Sequence, residues 1–428
     1  MGRRPDGGSN VSDPTPLARR LGQRDAIAIG LGSMIGAGVF AAFTPAAAAA
    51  GSGLLVGLAI AAVVAWGNAT SSAQLAAQYP TSGGTYVYGR ERLGAWPGFL
   101  AGWSFVVGKT ASCAAMALTL AVYVAPRGWE KPIAMAAVLA LAGVNYVGVT
   151  RTAAAARIIV VAVLSVLGLV VVAGVASGVG DPANLGAGGA TGGWYGVLQS
   201  AGLLFFAFAG YARIATLGEE VRDPQRTIPR AIGISLGLAL VVYATVAVVA
   251  LAVLGPERLA GAPAPLADVA TAGGWAWAAP VVRVGAALAA LGSLLALIAG
   301  VGRTSLAMAR NDDLPRPLAA VHPRFQVPHR AEVALAVVVC GLILVADLRD
   351  AIGFSSFGVL LYYLVANVAA FTQTPEHRRY PRVLQVVGAV GCVILVATLP
   401  LPSIVGGVVV LAIGVAYRAA RLLALKRR

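Results

Sequence analysis

The chain has 428 residues, of which 58% are apolar and 11% are charged, and its mean hydropathy is +0.81. Soluble domains carry about 25% charged residues, so this composition excludes a soluble enzyme, a disordered chain and a secreted disulfide scaffold, and indicates an integral membrane protein. The net charge of +15 is explained by cytoplasmic loops, which collect Lys and Arg in membrane proteins, without nucleic acid as a partner.

Residues 1–24 are polar and rich in Gly and Pro, which predicts a cytoplasmic tail and no signal peptide. Apolar runs long enough to cross a bilayer as helices follow this tail. Twelve such runs are predicted, and no porin-like alternation of apolar and polar residues accompanies them, so the fold class is all-α. They cover roughly residues 25–49, 53–78, 97–125, 132–149, 154–178, 194–217, 229–254, 280–308, 331–347, 351–373, 382–400 and 402–420.

Basic residues alternate between the predicted loops as expected for inner and outer segments. With the N-terminus inside, 26 of the 32 Lys and Arg residues lie in inner segments, five lie in outer segments, and Lys109 lies within a helix. This asymmetry predicts an even number of spans with both termini in the cytoplasm. We therefore expect a multi-pass protein of the cytoplasmic membrane, surrounded by lipid. A monomer and a homodimer are both compatible with the sequence.

The first run contains four glycines within nine residues, namely Gly30, Gly32, Gly36 and Gly38. Each costs a helix about 1 kcal/mol relative to alanine, and the cluster lies where the bilayer is deepest. A break here predicts a binding cavity, because unpaired backbone at this depth is tolerated only where protein buries it or where it lines a cavity. The alternative is a small-residue face for close helix packing.

The sixth run has Gly210 near its middle, shortly before Arg213. An arginine has no evident role on a lipid-facing helix, so a second interruption is predicted at this point. Two interrupted helices at corresponding positions of two halves are typical of secondary transporters built from inverted repeats, which bind substrate near the bilayer midplane.

Four segments resemble signatures of the amino acid–polyamine–organocation transporter superfamily. Residues 32–40, GSMIGAGVF, are similar to the signature of its first helix. Residues 205–211, FFAFAGY, together with EEVRDP at 219–224 and IPR at 228–230, are similar to that of its sixth helix. The loop 80–88, PTSGGTYVY, and residues 308–315, MARNDDLP, match as well.

This resemblance implies a transporter and not an enzyme, with a LeuT-like fold in which helices 1 and 6 are discontinuous. Its first five-helix repeat spans 25–178 and the second, inverted repeat spans 194–373. Peripheral helices 11 and 12 would follow over 382–420, and a basic cytoplasmic tail over 421–428.

The resemblance also implies where an amino acid binds. Free N–H groups at the start of a half-helix suit a carboxylate, and free C=O groups at the end of another suit an ammonium. At the matched positions, the amides that follow Ile35, namely those of Gly36, Ala37 and Gly38, would bind the carboxylate. The ammonium would bind the carbonyls of Met34, Phe206 and Ala209.

The side chains expected to line the pocket include no carboxylate. Relatives that handle arginine or polyamines commonly have an acidic residue after the sixth-helix break, where this chain has Ala212. A neutral amino acid is therefore the expected substrate, although each aromatic residue taken alone is more typical of packing. The predicted lining residues are Phe206, Phe208, Tyr211, Thr110, Cys113, Leu297 and Tyr362.

Lys109 lies near the middle of the third run, where a charged side chain is costly unless it is paired, hydrated or neutralised. Two functional roles are open for it: to bind and release a proton during transport, or to stay charged and hold the substrate's carboxylate. The alternative is a structural lysine that snorkels or forms a pair. Ser293 matches a family position on the eighth helix that can ligate sodium. The coupling ion thus stays open between proton, which we favour, sodium, and exchange without an ion.

Charged residues below the sixth helix suggest an inner gate, in which Glu219 or Glu220 pairs with Arg24 or Arg303, or else an ordinary solvated loop. No P-loop is present, so ATP does not drive transport within this chain, and an ion gradient replaces any cofactor. Neither the cysteines nor the histidines have the spacing of a metal site. A substrate exchanger of the same fold, a channel and a substrate sensor are the remaining alternatives.

Overall fold

A computed structural model describes residues 21–81, 83–148, 153–186, 189–218 and 220–426. Over these residues the protein is helical, and the two extended contacts, Leu21 with Val221 and Gly51 with Ala190, are isolated bridges outside any strand. The helices are α1 (Gln23–Met34), α2 (Ala37–Ala41), α3 (Phe43–Ala50), α4 (Leu54–Gln78), α5 (Gly84–Leu93), α6 (Ala95–Val124), α7 (Glu130–Tyr146), α8 (Ala153–Ala176), α9 (Gly193–Phe208), α10 (Ala212–Ala215), α11 (Pro224–Gly261), α12 (Pro265–Ala272), α13 (Ala278–Arg310), α14 (His329–Val345), α15 (Leu348–Phe371), α16 (Arg382–Thr398) and α17 (Leu401–Lys426).

Within the described part of the chain, nine helical segments are long and apolar enough to cross a membrane. The protein is therefore a multi-pass membrane protein. Each of the twelve predicted runs contains a helix, but α7, α14 and α16 have 17 residues each, slightly fewer than the roughly 20 that a bilayer requires.

Glycine contacts bring α6 and α15 together more closely than side chains would allow. A Cβ atom on Gly358 would lie 2.7 Å from the Cα of Gly108. One turn further along, the hydroxyls of Ser112 and Ser355 are hydrogen bonded at 2.6 Å. These contacts fix the middle of α6, and with it Lys109, relative to α15.

Buried polar side chains join α4 to α15 and α16. Asn367 Nδ2 donates to Asn68 Oδ1, and Ser71 Oγ donates to Asn367 Oδ1, both at 2.6 Å. Cys392 Sγ contacts Asn68 Oδ1 at 3.4 Å. Gly388 gives these groups room, since a Cβ there would lie 2.6 Å from Asn367 Oδ1. We call these five residues the amide seam, and it holds α16 to the bundle by polar contacts.

A buried carboxylate holds α17 to the loop after α13. Asp313 accepts hydrogen bonds from Arg90 Nη1 at 2.9 Å, from Tyr86 OH at 2.7 Å and from Arg418 Nη1. The Arg418 guanidinium also lies 5.0 Å from the centre of the Trp96 ring. We call Asp313, Arg90, Tyr86 and Arg418 the Asp313 cluster. Beyond the predicted end of the last span at residue 420, Arg421 continues this attachment by donating to Asp312 and to the carbonyl of Leu314, and α17 extends to Lys426.

Candidate functional site

The first predicted span is interrupted inside its glycine cluster. Helix α1 ends at Met34, and Ile35 (φ −79°, ψ 48°) and Gly36 (φ −96°, ψ −138°) leave the helical region before α2 begins at Ala37. A Cβ on Gly36 would collide with Ser293 Oγ of α13. The break is thus lined by α13, and the amides of Ala37 and Gly38 lie in the first turn after it.

The sixth predicted span changes its hydrogen-bonding pattern at the predicted position. Helix α9 ends at Phe208, a 3₁₀ turn covers Ala209–Tyr211, and the short helix α10 follows. The backbone stays close to helical angles, with Ala209 at φ −64° and ψ 1°, so the change is a tightening of the helix and not an extended gap. The tighter turn is followed by the end of the helix, at Ala215.

The two irregular segments lie against each other through glycines. A Cβ on Gly210 would collide with the carbonyl of Ser33, at the end of α1. A Cβ on Gly38 would lie 2.7 Å from the Cα of Ala207, in the last turn of α9. Only glycine allows backbones to approach this closely. Gly38 and Gly210, one from each sequence signature, therefore serve one contact, between the interrupted first and sixth spans.

Every carbonyl that the sequence assigns to an ammonium has a donor from the protein itself. Tyr243 OH, from α11, lies 2.6 Å from the carbonyl oxygen of Met34 and 2.9 Å from that of Ala207. The carbonyl of Phe206 accepts the backbone N–H of Ala209. An amino acid that uses these carbonyls must therefore replace or share internal hydrogen bonds.

The carbonyl of Ala209 is the one that a cationic group contacts. Lys109 Nζ donates to it at 3.2 Å, across 100 residues of sequence, and Tyr363 OH donates to it at 3.4 Å. Lys109 is 6% exposed. Among the residues with described positions, no Asp or Glu oxygen lies within 4 Å of its Nζ atom.

The predicted lining residues divide between two apolar clusters. Ala37, Cys113 and Phe206 belong to one cluster, against which Leu297 packs. The larger core contains Met34, Ile35, Phe208, Ala209, Tyr211 and Tyr362. Thr110 is buried, and its hydroxyl bonds to the carbonyl of Val106 on its own helix.

Ser293 is distinguished by its position at the first break. Its hydroxyl is buried and has no hydrogen-bond partner among the described residues, which is also true of Ser72, Ser200, Ser356 and Ser403. It faces Gly36 at the first break. An unpaired buried hydroxyl costs free energy unless a ligand or water satisfies it. This atom therefore marks a polar position at the break.

Hydrogen bonds hold both ends of the first predicted span to other parts of the chain. On the α3 side, Thr44 Oγ1 donates to the carbonyl of Ala262, in the segment before α12, at 2.7 Å. On the α1 side, the N–H of Leu21 donates to the carbonyl of Glu220 at 3.0 Å. Met34, Ala37 and Phe208 between them are each at most 1% exposed. The first break is thus buried within the bundle.

The predicted inner gate is only partly within the described residues, because Glu219 lies outside them. Arg24 and Arg303 are exposed. Among the described residues, neither forms an ion pair with Glu220 within 4 Å. The gate was predicted for an outward-facing conformation, so it stays a prediction.

Sequence reasoning missed Tyr243 and Tyr363, which reach the irregular segments from α11 and α15. A tyrosine in the middle of an apolar run needs a partner for its hydroxyl, and that is the signal that would have drawn attention to both. Their aromatic rings also line the site. Phe208 packs edge-on against Tyr243, with centroids 5.0 Å apart, and Tyr211 stacks on Tyr363 at the same distance.

Comparison with known proteins finds transporters and amino acid permeases. The sequence model of the family described as "Amino acid permease" matches residues 21–418. An uncharacterized transporter of Mycobacterium tuberculosis is 61% identical over 414 residues, which cover 97% of this chain and 94% of the relative. The branched-chain amino acid permease of Bacillus subtilis is 26% identical, over 88% of this chain and 86% of its own. The chloroplastic cationic amino acid transporter 7 of Arabidopsis thaliana is 29% identical, over 83% of this chain and 65% of its own.

Proposed function

The chain belongs to the amino acid permease family, and from this premise we propose that it carries neutral amino acids across the cytoplasmic membrane by alternating access. In this proposal all twelve helices span the membrane, both termini are cytoplasmic, and residues 25–178 and 194–373 are inverted repeats. The site then lies near the midplane, where interrupted helices of such repeats bind substrate.

The observation that carries the proposal is the contact between the interrupted first and sixth spans. At the first break, the amides of Ala37 and Gly38 and the unpaired Ser293 hydroxyl supply donors for a carboxylate. At the second, the carbonyl of Ala209 is an acceptor for an ammonium. Donors and acceptors close together match the zwitterion that all α-amino acids share.

The side chains of the site favour a neutral substrate. Phe206, Cys113 and Leu297 form an apolar wall, and the site has a lysine in place of a carboxylate. A second buried cation without a counter-charge would be costly next to Lys109. One relative is named for cationic amino acids and another for branched-chain amino acids. The apolar wall favours the branched-chain class.

Proton coupling through Lys109 is our proposal for the driving force. The lysine is buried, has no carboxylate partner among the described residues, and touches the sixth span where the substrate would bind. Transport that moves α9 relative to α6 would change this contact. Sodium held near Ser293, or exchange of one substrate for another, are the alternatives that the same site allows.

Uptake into proteoliposomes tests the proposal. We expect saturable uptake and counterflow of labelled leucine or valine but not of lysine or arginine. Counterflow separates a carrier from a channel or a sensor. Gly210→Ala should abolish uptake because its Cβ would collide with the Ser33 carbonyl. The matched control is Gly237→Ala, in α11, where a Cβ would meet no atom within 4 Å. Uptake of cationic amino acids alone would overturn the proposed substrate class.

A further inference from the structure

Lys109 is placed by a rigid pair of helices and contacts a less regular one. The neighbouring Gly108 touches Gly358 of α15 through the backbone, and the Ser112–Ser355 hydrogen bond holds the next turn. The Lys109 side chain extends away from this pair of helices. Its Nζ donates to the carbonyl of Ala209, the first residue of the 3₁₀ turn. The lysine thus connects the α6–α15 pair to the interrupted sixth span.

The end of a lysine side chain and the amino group of an amino acid are chemically alike. Both are primary ammonium ions with three N–H donors, and both seek carbonyl oxygens. The carbonyl of Ala209 already receives Lys109 Nζ at 3.2 Å and Tyr363 OH at 3.4 Å. A second ammonium at the same oxygen would lie within a few ångströms of the first. The two positive charges would repel each other strongly in this buried site.

We propose that the Lys109 ammonium is a tethered substitute for the substrate's ammonium: it contacts the Ala209 carbonyl before an amino acid binds, and it is displaced when one binds. This inference rests on the proposed function for the identity of the displacing ligand. The position of the ammonium at the Ala209 carbonyl, which we call the seat, is defined by the described contacts alone. Lys109 satisfies this carbonyl before a substrate arrives, so every substrate competes with a group of the protein.

Charges and titratable groups around the lysine are compatible with this role. Cys113 lies one turn further along α6. Tyr363 of α15 shares the Ala209 carbonyl, Tyr362 packs against Tyr363, and Tyr211 belongs to the 3₁₀ turn. All four side chains are uncharged at neutral pH in their ordinary form. Lys109 Nζ donates to the Ala209 carbonyl, so a ligand that binds this carbonyl removes the lysine's hydrogen bond.

Binding to a neutral, similarly shaped variant tests the competition. We expect Lys109→Met to bind leucine about tenfold more tightly than the unmodified protein, the factor that matches one hydrogen bond to a charged group. The 2-hydroxy acid of leucine lacks the ammonium, so its affinity should stay the same. Lys131→Met is the matched control, since Lys131 also donates to a carbonyl, that of Leu344, but at an exposed position. Weaker leucine binding by Lys109→Met would show that the lysine holds the carboxylate, and would overturn the inference.

Chemical rescue tests the seat without relying on transport. Lys109→Ala leaves the Ala209 carbonyl without its cation and leaves space for three carbons and one ammonium. Propylammonium should therefore raise the melting temperature of this variant but not of the unmodified protein, and 1-propanol should stabilise neither. An equal response of both proteins to propylammonium would overturn the inference. If the unmodified protein binds no amino acid but Lys109→Ala is rescued, the proposed substrate fails and the seat stands.

Discussion

Replacing Asp313 with asparagine tests how the C-terminal helix is attached. The Asp313 side chain is 6% exposed and accepts hydrogen bonds from Arg90, Arg418 and Tyr86. Burial and the hydrogen bond to Asp313 raise the pKa of Tyr86 to about 12, so its hydroxyl remains a donor at neutral pH. Asparagine keeps the shape of the side chain but removes the charge. An NH₂ donor replaces one of the two carboxylate oxygens, and this donor faces other donors.

The loss of stability follows from the charge that is left behind. Removing one partner of a buried ion pair costs about 3–5 kcal/mol. Arg418, whose side chain is 7% exposed, is the charge left here. Arg90 is 32% exposed and regains water, so it adds little. With an unfolding entropy of about 2 cal/mol/K per residue, a chain of 428 residues should lose about 3–6 °C in melting temperature.

The cysteines of the protein provide the assay. Cys113 and Cys392 are buried and become reactive on unfolding, whereas the partly exposed Cys340 sets the background. A thiol-reactive dye can therefore follow thermal unfolding of the purified protein in detergent. Asp223→Asn is the control, because Asp223 pairs with Arg226 at the surface and away from α17, and it should cause a minor shift. Equal shifts for Asp223→Asn and Asp313→Asn would refute the reasoning.

Three further predictions concern the interior of the bundle. Tyr243→Phe should destabilise the protein by about 1–3 kcal/mol, since it leaves the carbonyl of Met34 or Ala207 unpaired; an unchanged melting temperature would contradict this. Lys109→Ala should abolish the pH dependence of uptake in proteoliposomes, and retained pH dependence would remove Lys109 as the proton carrier. Asn367→Leu should cost about 2–3 kcal/mol by dye-monitored unfolding, because Asn68 and Ser71 lose their buried partner; stability equal to that of the unmodified protein would show that the amide seam contributes nothing.

Local features of the sequence predicted a large part of the fold. Helix propensity depends on near neighbours, so the glycine cluster around Gly36 located the first break at Ile35 and Gly36. The position of the second irregularity followed from Gly210, but its form did not. A single glycine is compatible with an extended gap or with a tighter turn, and packing of the sixth span against Ser33 selects the turn.

The internal partners of the site could not be predicted, because they depend on contacts between distant residues. Tyr243 lies 209 residues from Met34, and Lys109 lies 100 residues from Ala209. No periodicity links such pairs. The same reason applies to the end of α17, which the sequence places at residue 420, whereas the structure extends it to Lys426 with Asp312 as a distant partner of Arg421.

The amide seam also has a consequence for biosynthesis. Asn68 and Asn367 are 299 residues apart, and ribosomes add about 5–20 residues per second, so the first amide waits roughly 15–60 s for its partner to be made. Throughout this interval α4 carries an unpaired polar side chain, which lipid does not satisfy. Nascent chains that stop before α15 would keep this defect permanently, and the cell's quality-control proteases should remove them faster than chains that stop after it.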